Sequence, residues 1–107
     1  MNILLACNGG VSTGILADKM EKTAKEQGLE CRVWAVDDGQ IDNELSSGGV
    51  DIVLIGPQIK YKLKGLQESL SHYGVPIVCM NPIDYGMNNA ANILKFAGAQ
   101  IMEESER

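Results

Sequence analysis

A chain of 107 residues, 45% apolar and 21% charged, is long enough to bury one core and too apolar to be disordered. Its net charge of −5 leaves no basic stripe to neutralise phosphates, which argues against nucleic acid as a partner. No apolar run approaches the ~20 residues that cross a bilayer, so neither membrane insertion nor a signal peptide is expected.

Four short apolar runs alternate with longer amphipathic segments. Ile3 to Cys7 is continuously apolar, as a strand buried on both faces should be. Ser12 or Thr13 can cap the helix that follows, which presents Val11, Ile15, Met20 and Ala24, with Gly28 at its end. Asp18–Lys22 and Glu21–Lys25 stand at i,i+4 with the acid first, the favourable order for solvent-face pairs. Cys31 to Val36 is the second strand, ended by Asp37-Asp38-Gly39, and a short helix follows from about Ile41 to Ser47. Val50 to Gly56 is the most apolar run and predicts a central strand.

Pro57 suits a helix start, and Ile59, Leu63, Leu66, Leu70 and Tyr73 repeat at helical spacing up to Gly74. Pro76 to Met80 is the fourth strand. The last helix carries Ala90, Ile93, Leu94, Ala97 and Ile101 on one face. Alternation of this kind predicts an α/β fold in one domain, residues 1–107, with right-handed crossovers and a four-stranded parallel sheet in the order 2-1-3-4. Helices should cover both faces in a small flavodoxin-like or phosphatase-like three-layer sandwich. Its ligand crevice should open beyond the strand ends between strands 1 and 3, lined by Cys7–Thr13 and Gly56–Tyr61.

Three cysteines, Cys7, Cys31 and Cys79, are odd in number and lack a CxxC pair, the usage of a reduced cytosolic protein. His72 is the one histidine and has no ligand cluster, so neither a metal nor a cofactor is expected. Cys31 and Cys79 read as inert strand cysteines.

Cys7 stands where the first strand stops, before Asn8, Gly9, Gly10, Val11, Ser12 and Thr13. Two glycines let the backbone curl its N–H groups inward, and the helix start adds unpaired N–H groups and partial positive charge. Ser12 and Thr13 add hydroxyl donors. A tetrahedral dianion fits this loop, and the same field favours a thiolate, the nucleophilic form of cysteine. By residue type alone a strand-end cysteine is a small buried hydrophobe; its Gly-Gly and Ser-Thr neighbours tip the reading toward a phosphocysteine.

Other loop chemistries fit less well. Gly9 and Gly14 have Walker A spacing, but Ile15 stands where lysine is required. A cysteine phosphatase needs Cys-x5-Arg, whereas Thr13 holds that position, and the two arginines, Arg32 and Arg107, are not placed to substitute. An FMN module would want more aromatic residues than the chain offers. Without the hydrolytic clamp, transfer is favoured over hydrolysis. Asp18, Asp84 and His72 read as surface or capping residues. Lys60, Lys62 and Lys64 read as a solvated face that could meet an acidic partner, and Tyr61 and Tyr85 as rim or packing aromatics.

NILLACNGGVSTGILADKM, DIVLIGPQIKYKL and VPIVCMNPIDYGMNNAANIL together resemble enzyme IIB of the bacterial sugar phosphotransferase system, of the lactose/cellobiose (chitobiose) type. The resemblance covers essentially the whole chain. It implies a cytosolic phosphocarrier that takes phosphate from a phosphohistidine on IIA and passes it to a disaccharide entering through the membrane permease IIC. Cys7 matches the family's phosphorylated cysteine, and Asn8 to Thr13 its phosphate loop.

Overall fold

The computed structural model describes residues 1–9 and 11–105. Four strands, β1 (Asn2–Cys7), β2 (Arg32–Asp37), β3 (Ile52–Ile55) and β4 (Ile77–Cys79), form one sheet in the order β2-β1-β3-β4. Every pairing is parallel, and the register sets Cys7 beside Asp37 and Ala6 beside Ile55. All four strands and their order agree with the apolar runs.

Five helices cover the sheet: α1 (Val11–Glu26), α2 (Ile41–Ser47), α3 (Leu63–Ser69), α4 (Pro82–Gly86) and α5 (Ala90–Ser105). On one face α1 and α5 bury Leu16, Met20, Ala24, Ile93 and Leu94 against Ile3, Leu5, Ile52 and Leu54. On the other, Ile41, Leu45, Ile59 and Leu70 pack against Leu4, Ala6, Val53 and Ile55. Alternation along β1 and β3 thus feeds two cores at once, because successive strand side chains point to opposite faces. Among the described residues no helix is long and apolar enough to cross a membrane.

Local structure departs from the sequence reading at several points. Ser12 and Thr13 lie inside the first turn of α1, which starts at Val11, so neither is its cap. Ile15 is 60% exposed, and Leu16 and Ala17 take the inward positions instead. Glu21 leaves the expected helix-face pairing, and its carboxylate accepts the Val33 N–H at 2.9 Å, tying α1 to the start of β2. The segment after Pro57 is a 3₁₀ turn to Lys62, kinked at Ile59 (φ −113°, ψ 23°), before true α-helix begins at Leu63.

One short helix, α4, was hidden in the run Pro82–Gly86, where Asn81 caps by accepting the N–H groups of Ile83 and Asp84. Gly28, at φ +73°, makes the expected left-handed exit from α1. Tyr73 donates its hydroxyl proton to the Asp42 carboxylate, joining the turn after α3 to α2. That bond pushes the Tyr73 phenol above its ordinary range. Its contribution is therefore complete below pH ~10 and lost as pH rises through the raised value.

Truncating Leu54, fully buried in the centre of the sheet, to alanine is expected to cost roughly 3 kcal/mol in urea unfolding. Ile15→Ala should fall within about 0.5 kcal/mol of wild type. Equal losses from the two would contradict the inward face assigned to α1.

Candidate active site at the end of the first strand

Cys7 is the last residue of β1, and 3% of its surface is exposed. The chain between β1 and α1 turns through Gly9 at φ +78°, a left-handed conformation that side-chain-bearing residues rarely adopt. The loop thereby passes from strand to helix within a few residues.

Of the expected loop residues, Asn8 and Gly9 are exposed and Thr13 is fully buried. Gly10 lies outside the described residues, as do the side chains of Val11 and Ser12.

Two side-chain amides flank the sulfur. The Cys7 thiol donates toward Gln58 Oε1 at 3.5 Å and toward Asn8 Oδ1 at 3.6 Å. Gln58 comes from the turn after β3, and its Nε2 donates to the Tyr85 hydroxyl of α4 at 3.2 Å. An amide has a donor end and an acceptor end, so rotating Gln58 by half a turn would offer N–H to a thiolate or phosphoryl oxygen. Tyr85 could then donate to Gln58 Oε1, since a phenol serves as donor or acceptor.

The approach of these groups is permitted by Gly56. A Cβ there would lie 3.0 Å from Cys7 Sγ and 2.6 Å from Gln58 Oε1. The GPQ turn is thus pressed against the thiol because it starts with a residue that has no side chain.

A carboxylate completes the edge. Asp37, beside Cys7 in the sheet register, accepts the Gly9 N–H at 3.4 Å and the Gly39 N–H at 3.2 Å. Next to it, Asp38 pairs with Lys62 at 2.6 Å and holds that ammonium above the ordinary lysine range, so Lys62 stays charged. Lys62 is therefore committed within the fold, whereas Lys60 and Lys64 remain exposed.

Arg32 is at the far end of the sheet, paired in register with Asn2 and stacked 4.5 Å over Trp34. The absence of an arginine from the Cys7 loop follows from the sequence, and the fold brings none from elsewhere among the described residues.

The other cysteines differ in setting. Both are half-buried, and Cys31 lies just before β2 rather than within it. Burial pushes both thiols up, with Lys60 pulling the other way at Cys79 and the N-terminal ammonium at Cys31. Cys79 lines a cleft of about 320 Å³ at the end of β4, with Lys60, Asn81, Asp84 and Phe96, and Cys7 does not line it.

Asp84 accepts from the Asn92 side chain and Asp18 is exposed, as solvated or linking residues would be. His72 is exposed beside Tyr73, and Tyr61 is 77% exposed. Tyr85 joins the rim and also packs on the core.

Sequence reasoning placed the Gly56–Tyr61 loop at the crevice but passed over Gln58 and Asp37. A neutral amide and a strand-end aspartate carry no motif; only the parallel register and the GPQ turn bring them to Cys7.

The family model for the lactose/cellobiose-specific IIB subunit of the phosphotransferase system matches residues 2–96. The galactose-specific EIIB component of Lactococcus lactis subsp. cremoris (strain MG1363) is 35% identical over 98 residues, covering 89% of this chain and 91% of that protein. The oligo-beta-mannoside-specific EIIB component of Bacillus subtilis (strain 168) is 35% identical over 85 residues, 79% of this chain and 81% of that protein. Among solved structures, the cellobiose-specific IIB component of Borrelia burgdorferi superposes with a TM-score of 0.79 at 33% identity, covering 97% of this chain and 94% of that one. With a matching fold and a cysteine at the end of its first strand, this chain belongs to the lactose/cellobiose family of phosphotransferase-system IIB components.

Proposed function

We propose that Cys7 is the residue through which this IIB component carries phosphate, from a phosphohistidine of IIA to a sugar delivered by the IIC permease. The observation that carries the reading is the setting of the Cys7 sulfur. It sits at the C-terminal end of a central parallel strand, before a Gly9 turn and the start of α1, with two amide side chains against it.

In the loading step the Cys7 sulfur forms a bond to phosphorus as the donor's N–P bond breaks. The electron pair of that bond returns to the imidazole, which takes up the thiol proton. In the unloading step a sugar hydroxyl oxygen attacks phosphorus, the S–P bond breaks, and sulfur leaves as thiolate while the hydroxyl proton passes to solvent. Backbone N–H groups of residues 8 to 13 hold the equatorial oxygens, and the start of α1 offsets their charge.

The sugar is of the cellobiose, lactose or chitobiose class, and the protein works in the cytoplasm. Lack of an arginine clamp suits a carrier, because a clamp that stabilises attack by water would waste the phosphoryl group before its acceptor arrived.

Cys7→Ser should abolish labelling by phosphorylated IIA while circular dichroism stays native, whereas Cys31→Ser and Cys79→Ser should still be labelled; labelling of the Cys7→Ser variant would sink the assignment. Gly56→Ala is expected to slow labelling at least tenfold, because the added methyl enters the space held by the sulfur and the Gln58 amide. A rate equal to wild type would show that this close approach is irrelevant.

On phosphorylation the amide resonances of residues 8 to 13 should move most, and larger shifts at Lys60 to Lys64 would favour a lysine clamp. An oxyanion donor is worth about 2.7–4 kcal/mol in rate, so without an arginine the phosphoprotein should outlast an ordinary assay at neutral pH. Steady p-nitrophenyl phosphate hydrolysis that depends on Cys7 would instead indicate a phosphatase.

A further inference from the structure

Asp37 places a negative charge where a phosphate carrier would seem to want none. It is the last residue of β2, in register with Cys7, and neighbouring parallel strands run about 4.8 Å apart. Its carboxylate bridges two turns. Oδ2 accepts from Gly39 and caps the 3₁₀ turn Asp38–Gln40, while Oδ1 accepts from Gly9.

The two bonds differ in consequence. Gly39 belongs to a turn with no part in the loop chemistry. Gly9 lies in the loop that must offer its N–H groups to the phosphoryl group, and one of them is already engaged by a carboxylate.

The neighbouring charges offset this one only in part. Asp38 is of the same sign, and Lys62 donates its short 2.6 Å bond to Asp38. Asp37 is exposed, and it accepts from the neutral backbone N–H groups of Gly9 and Gly39.

We infer that Asp37 is a positioning residue that stands in for the phosphoryl group in the empty carrier and pushes against it in the loaded one. Resting on the assignment of Cys7 as phosphocysteine, the inference adds a role for the β2 terminus in setting how readily the phosphate leaves. In the empty state the carboxylate engages Gly9 N–H and keeps the loop ordered. In the loaded state the dianion takes that N–H, the long Gly9–Asp37 bond opens, and like charge remains beside the S–P bond. Repulsion raises the loaded state relative to the empty one, which promotes transfer onward to the sugar. A site built only for tight retention would carry a neutral or basic residue here.

The test is the equilibrium partition of phosphate between a phosphorylated IIA protein of the lactose/cellobiose family and this chain, read by intact mass. Asp37→Asn removes the charge and keeps an acceptor oxygen. It is expected to shift the partition toward the phosphocysteine by about tenfold, the scale of one partly screened charge at short range. Asp18→Asn removes an equal charge from the exposed face of α1 and should shift it less than twofold.

An Asp37→Asn partition equal to wild type would overturn the inference and leave the carrier function standing. So would an equal shift in Asp18→Asn, since bulk charge would then explain the effect. Absence of any loading of wild-type Cys7 would overturn both the carrier function and this inference.

A second measurement needs no variant. In the wild-type protein the Gly9 amide resonance should be among those most displaced by phosphorylation, as it exchanges a carboxylate for a phosphoryl oxygen. A Gly9 resonance that stays in place would show that the bond to Asp37 never opens, and would overturn the inference even if Asp37→Asn failed to fold.

Discussion

The site depends on a close approach for which a residue without a side chain leaves the room. At Gly56 a Cβ would come within 3.0 Å of the Cys7 sulfur and 2.6 Å of the Gln58 amide oxygen. The sheet makes that approach unavoidable: β1 and β3 are adjacent and parallel, with Ala6 opposite Ile55, so both chains leave the sheet at the same height. The Gly56 N–H bonds to the Ala6 carbonyl at 2.8 Å and carries the pairing one residue past the strand. With that spacing set, the turn after β3 has nowhere to go but over the thiol.

On the opposite side β2 supplies the other wall. Its register brings Asp37 beside Cys7, and the carboxylate links the Gly9 loop to the Gly39 turn. The Cys7 sulfur therefore lies between an amide that can invert, Gln58, and the strand-end carboxylate of Asp37. One wall can turn either a donor or an acceptor toward the sulfur, and the other holds a carboxylate. Such a pairing suits a carrier, whose loaded form must be accessible from one partner and relinquished to the next.

Hydrophobic burial holds these walls in place. Leu4 and Leu5 sit side by side in β1 and point to different cores, one against α2 and the segment after β3, the other against α1 and α5. Burying apolar area at roughly 25 cal/mol per Å² on both faces makes β1 among the least mobile parts of the chain. Its last residue, Cys7, is thus firmly mounted, with 3% of its surface exposed. Elsewhere the surface keeps large apolar side chains exposed: Ile15, Tyr61, Ile83 and Met87 are all more than half exposed.

What the sequence by itself determined follows from local chemistry. Continuous apolar runs of strand length, separated by helical periodicities, were enough for four parallel strands in the order 2-1-3-4, because few topologies obey the crossover and burial rules. The strand end at Cys7 and the turn at Gly9 were legible too, since a glycine just after a continuous apolar run has local consequences. Residues whose work is long-range were not legible. Glu21 resembles half of a surface pair until β2 arrives with the Val33 N–H, and Ile15 fits the apolar stripe until Leu16 fills the core. Gln58 and Asp37 become neighbours of Cys7 only when strands far apart in sequence are set in register. Side-chain type and spacing encode what a segment does with its own backbone; which other segment it meets is decided by how the sheet closes its two cores.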